Sequence, residues 1–128
     1  MKRLAIFLGL SLSIGLSLPA LSAQKLFLGV TVFTTASTTG GWGGCFSKVS
    51  LNAAAFSNAN LSGCEANFVS FGCVPGDAAD RISKSDAARN YSNAQMAYVI
   101  QHPVNMLIDD TINFNGYCSA IRVDNAPR

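Results

Sequence analysis

Four cysteines, Cys45, Cys64, Cys73 and Cys118, constrain this chain more than any other feature of its sequence. All of them follow residues 1–23, in which Lys2 and Arg3 lead an apolar run from Leu4 to Leu18, then Pro19 and the small residues Ala20, Ser22 and Ala23. That is the pattern of a secretory signal peptide. The run is too short and too early for a membrane anchor, and no second apolar stretch of spanning length follows, so no membrane insertion is expected after cleavage. Export to the periplasm or beyond the cell places the cysteines in an oxidising compartment, where an even number pairs fully. The expected mature chain, residues 24–128, is one small disulfide-stapled domain of about 105 residues.

Three pairings are open to four cysteines. Cys64 and Cys73 bracket EANFVSF, which reads as a strand and would hold their backbones far apart at about 3.3 Å per residue. The expected pairs are therefore Cys45 with Cys64 and Cys73 with Cys118. A zinc site is excluded by the lack of a C-x-x-C motif and by a single histidine, and no cofactor is expected.

Charge excludes a second class of function. Losing Lys2 and Arg3 with the leader leaves seven basic residues against seven acidic ones. Those seven are scattered, without the clustering that a phosphate-tracking surface requires, so nucleic acid is not an expected partner.

Along the mature chain, LFLGVTVF from Leu26 alternates, with Leu26, Leu28, Val30 and Val32 on one face of a first strand. Residues 34–44, TTASTTGGWGG, cannot build a packed element and read as an exposed loop. CFSKVSL (45–51) is a second strand, with Cys45, Ser47, Val49 and Leu51 opposite Phe46, Lys48 and Ser50. NAAAFSNANLSG reads as turn-like, and a third strand covers about 66–73. Ser83 and Asp86 then form a capping box, and Ala87, Tyr91, Ala94 and Tyr98 recur on one helical face. Pro103 stops that helix near Gln101. Met96 and Ile100 lie opposite the stripe, which leaves room for burial against a neighbouring subunit of a homo-oligomer. Two further strands, 104–109 and 117–124, are joined by TINFNG.

Asp109-Asp110 and Asn115-Gly116 fall in that last connection. As a calcium loop, with Gly116 in sixth position, the segment would begin at Thr111 and end at Arg122, which fails at both ends. As a catalytic pair the aspartates fail because neighbours on a strand point to opposite faces. Asn-Gly before a strand is instead a hairpin turn, with Asp110 and Asn115 left as candidate ligand contacts. His102 has no nucleophile with which to form a triad: there is no G-x-S-x-G and no spare cysteine. An enzyme is not expected. Trp42, flanked by Gly40, Gly41, Gly43 and Gly44, is the third candidate contact, either plugging the core edge or offering a flat face to a sugar or a partner side chain.

The order of three strands, helix and two strands is that of a small OB-like five-stranded barrel, mostly β with one α-helix. The last third of the chain resembles the B subunits of bacterial AB5 toxins of the cholera and heat-labile enterotoxin type. There a helix ending in Ala-Tyr (here Ala97-Tyr98) is followed by a corner, a strand beginning at a valine (Val104), a polar turn and a strand carrying Ala-Ile (Ala120-Ile121). The same stretch, with GYC and RVD, also resembles small secreted bacterial proteins of unknown function. The tryptophan that stacks on the receptor sugar in the toxins is matched by Asp110, and the toxin cysteine of that strand by Ile108, so neither sugar site nor disulfide carries over. The resemblance implies a fold and a tendency to form rings. The expected function is a secreted or periplasmic, non-enzymatic binding domain for a glycan or a protein. The alternative is a small disulfide-stapled structural or inhibitor protein.

Overall fold

The computed structural model describes residues 24–37, 44–61, 63–73 and 82–127. Its opening ribbon is two strands, β1 (Gln24–Val30) and β2 (Val32–Ser37), separated only by Thr31. The break comes from Gly29, whose φ of 66° lies in the left-handed region that glycine alone enters freely. The register of β1 slips between Phe27 and Val30, and such a bulge swaps the faces of the residues beyond it. Leu26 and Leu28 are consequently 49% and 72% exposed, while Val30 and Val32 are buried. The alternation read from sequence was thus interrupted midway, and its first two leucines face outward.

The remaining elements are β3 (Cys45–Val49), α1 (Ala53–Asn58), β4 (Phe68–Ser70), α2 (Lys84–Ile100), β5 (Val104–Phe114) and β6 (Tyr117–Asn125). The stretch read as turn-like is α1. Asn52 caps it, its side chain accepting a hydrogen bond from the Ala55 N–H at 2.9 Å, and the alanines that follow favour a helix. The six strands form one open sheet of order β1-β5-β6-β4-β3-β2, in place of the closed five-stranded barrel expected. All neighbours are antiparallel except β4 and β6, which pair in parallel. The sheet's two end strands, β1 and β2, are consecutive in the chain.

Helix α2 begins and ends where its signals place it. The Ser83 hydroxyl accepts from the Asp86 N–H at 3.1 Å, and Gln101 closes the helix at φ 53° just before His102-Pro103. Its buried stripe is Ala87, Asn90, Ala94 and Ala97 rather than the Ala-Tyr stripe: Tyr91 is half-buried against the Phe71 ring, and Tyr98 is exposed. Asn90 enters the stripe because β4 is short and meets β6 only at Ser70–Ser119. Beyond that point the Asn90 amide takes the place of a strand, donating to the Ile121 carbonyl at 2.8 Å and accepting from the Val123 N–H at 3.2 Å. Asn93 donates to the Val123 carbonyl at 2.8 Å. Phe71, Met106, Ile108, Val49, Val69 and Val104 fill the core between sheet and helix.

The disulfides pair Cys45 with Cys73 and Cys64 with Cys118, Cα–Cα 5.6 and 5.1 Å, which corrects the expected Cys45–Cys64 and Cys73–Cys118. The exclusion of Cys64–Cys73 stands. The choice between the other two rested on contacts that only tertiary structure supplies. Phe46 pairs with Ser70, so the residues just outside that register meet, and the Phe71 N–H bonds the Cys45 carbonyl at 3.0 Å with Cys73 two residues on. On the opposite side the Glu65 N–H bonds the Gly116 carbonyl at 2.7 Å, laying Cys64 beside the start of β6.

Candidate functional site

In a sheet, residues opposite each other across a strand pair project from the same face. Ala36, Phe46, Ser70, Ser119, Asp109 and Gln24 are successive partners and so form one row across all six strands. Thr34, Lys48 and Phe68 form the next row, and Tyr117, two residues before Ser119, belongs to it. Of the half-buried aromatics on this face, Phe46, Phe68 and Tyr117 stand on the adjacent strands β3, β4 and β6, and Phe114 pairs with Tyr117. Phe46 and Phe68 have ring centroids 6.2 Å apart at 58°, and Phe68 and Tyr117 5.6 Å apart at 72°. Both separations are those of favourable aromatic pairs, so the rings brace one another into a fixed strip.

The strip has a polar border. Lys48 is exposed on β3 beside Phe68. Asp109 is buried at one end of the first row, where it accepts hydrogen bonds from Gln24 Nε2 at 2.7 Å, from the Thr111 N–H at 2.8 Å and from the Thr111 hydroxyl at 2.6 Å. Ser119 Oγ, fully buried between Asp109 and Ser70, has no hydrogen-bond partner among the described residues.

The hairpin that ends at Tyr117 is the turn expected from Asn115-Gly116, with φ of 53° and 87°. Asn113 fastens it: its Oδ1 accepts from the Gly116 N–H at 2.8 Å, and its Nδ2 donates to the Gly63 carbonyl at 2.8 Å. A Cβ on Gly116 would come within 3.0 Å of Glu65 Cγ. Cys64 and Glu65 also line a groove of about 360 Å³ with Phe56, Ser57, Leu61 and Ala66, among others.

Of the three candidate contacts, Trp42 lies outside the described residues. Asn115 is exposed at the hairpin tip. Asp110 is half-buried in the bulge of β5 where the register with β6 shifts between Asp109 and Asn113. Asp110 and Asn115 belong to the same hairpin, and the 63–65 segment is bonded to it at Asn113 and at Gly116. His102 is a strut, its Nε2 lying 3.0 Å from the Ala126 carbonyl. The aromatics Phe46, Phe68 and Tyr117 were not singled out from sequence. The available signal was Phe46 alternating with Lys48 on the face opposite Cys45 and Val49, an aromatic where a half-buried strand otherwise shows polar residues.

Among the described residues no group of three or more His, Cys, Asp or Glu is placed to hold a metal ion, and no helix is long and apolar enough to cross a membrane. Comparison with protein-family models, with curated proteins and with solved structures finds no match.

Proposed function

We propose that this protein is a secreted or periplasmic, non-enzymatic binding domain that takes a glycan across the Phe46–Phe68–Tyr117 strip. The observation that carries the proposal is the strip itself: three braced aromatic rings on adjacent strands of one sheet face. An aromatic ring offers a flat apolar surface to the C–H face of a sugar, while bordering polar groups orient the hydroxyls. Lys48 is the one exposed charge in the two rows, Asp109 being buried at the end of the first, and a single exposed cation suits a neutral ligand better than a polyanion.

The fold adds support. We read the strand order, the parallel β4–β6 pair and the helix between β4 and β5 as OB-like wiring opened into one sheet, with the first strand split at Thr31. OB folds bind oligosaccharides and oligonucleotides on the face of their second and third strands and on flanking loops. The corresponding strands here would be β3 and β4, with the Asn115-Gly116 turn beside them. Two disulfides are compatible with an oxidising, exported location.

The second reading, a module that occludes a protein partner, is favoured by the end of α2, where Met96, Val99 and Ile100 are exposed without a charged neighbour from Asn90 to Gln101. Glycan-array binding by the purified, oxidised chain separates the two. Retention of a glycan class that is lost in Phe68→Ala supports the strip. No glycan bound, with a partner protein captured through Val99, supports occlusion.

A further inference from the structure

The two ends of the sheet are treated differently. Helix α2 packs along β2, whereas no described element runs along the outer edge of β1; α1 meets that strand through the Phe56 ring on the Phe27 ring, 5.9 Å between centroids. The backbone N–H and C=O groups on that edge are a template for another strand, and natural edges are normally blunted by charge, proline or cover. This one has no proline and a single charge, Lys25. It also presents Leu26 and Leu28 to solvent, with half-buried Leu107 paired to Leu26 on the same face.

We propose that the free edge of β1 pairs with β1 of a second copy of this chain, in a two-fold antiparallel junction centred on Phe27. The strand is self-complementary in that register. Leu26 then faces Leu28 of the other copy and Leu28 faces Leu26, so the two-fold axis gathers four leucines into one apolar cluster flanked by the two Leu107 side chains. Lys25 meets Gly29 of the other copy, not itself, so no like charges are opposed. Backbone hydrogen bonds supply the pairing and the leucines its register, the division of labour seen in strand addition generally. The junction lies on strands away from the aromatic strip, so its success or failure is independent of the glycan reading.

Sedimentation equilibrium of the exported, oxidised chain tests this, with Leu28→Lys as the variant and Val99→Lys as the control at the other exposed apolar patch. The wild type and Val99→Lys are expected to dimerise, and Leu28→Lys to raise the dimer Kd by at least about tenfold while keeping its far-UV circular dichroism, since Leu28 is 72% exposed. Hydrogen exchange supplies a second readout: amides in residues 24–30 should gain protection as concentration rises. A monomer at every concentration, a dimer indifferent to Leu28→Lys, or an oligomer in which the β1 amides stay unprotected would overturn the proposal.

Discussion

Two strands of this sheet have an edge that no neighbouring strand covers, and the molecule handles them in opposite ways. Where β6 outlasts β4, the amides of Asn90 and Asn93 satisfy the backbone at Ile121 and Val123. At β1, the end strand, no described element runs along the outer edge, and the strand carries exposed leucines. The difference is one of depth. An unpaired peptide group inside the core costs about 1 to 3 kcal/mol, whereas at the surface water pairs it. The closed edge is therefore a requirement of folding, and the open one is available for association.

The largest effect should come from the covalent part of the closed side. Replacing Cys64 and Cys118 by serine removes the bridge that holds the start of β6 across a separation of 54 residues, and should cost about 4 kcal/mol of stability. Replacing Cys45 and Cys73, separated by 28, should cost about 3.5 kcal/mol. Urea denaturation of both variants checks the order, and peptide mapping of the oxidised chain checks the pairing. Asn90→Leu comes next. It leaves the Ile121 carbonyl and the Val123 N–H unpartnered and should cost about 3 kcal/mol in the same experiment. Asn90→Asp, which can still accept from Val123 but sets a buried carboxylate oxygen against the Ile121 carbonyl, should cost at least as much.

Gly116→Ala should cost about 1 to 2 kcal/mol, because its φ of 87° is strained for any residue with a Cβ and that Cβ meets Glu65. Ser83→Ala should cost about 1 kcal/mol through loss of the α2 cap. Smallest of all, Leu28→Lys on the open edge should leave the monomer's stability within about 0.5 kcal/mol. A large loss there would mean that the β1 edge is part of the core and would erase the contrast.

What could be read in advance divides along the same line of local against distant causes. Ser83 with Asp86, Pro103 after Gln101, and Asn115-Gly116 are short-range signals, and each stands where the sequence puts it. The cysteine pairing depended on which strand lies beside β3, which no local signal carries. The faces of β1 depended on Gly29, a single residue whose positive φ inverts an alternation that looks unbroken in the sequence. Phe46, Phe68 and Tyr117 come from three separate stretches, and only the adjacency of β3, β4 and β6 brings them together.

The proposed ligand-binding face is that of Phe46, Phe68 and Tyr117. Its most direct test is a residue-resolved NMR titration of the oxidised protein with the best glycan from an array. The account predicts shifts concentrated at Phe46, Lys48, Phe68, Tyr117 and the Asn115-Gly116 turn, with at least about tenfold weaker binding by Tyr117→Ala at unchanged fold. Shifts centred on β1 or on the end of α2, with that face unmoved, would contradict it.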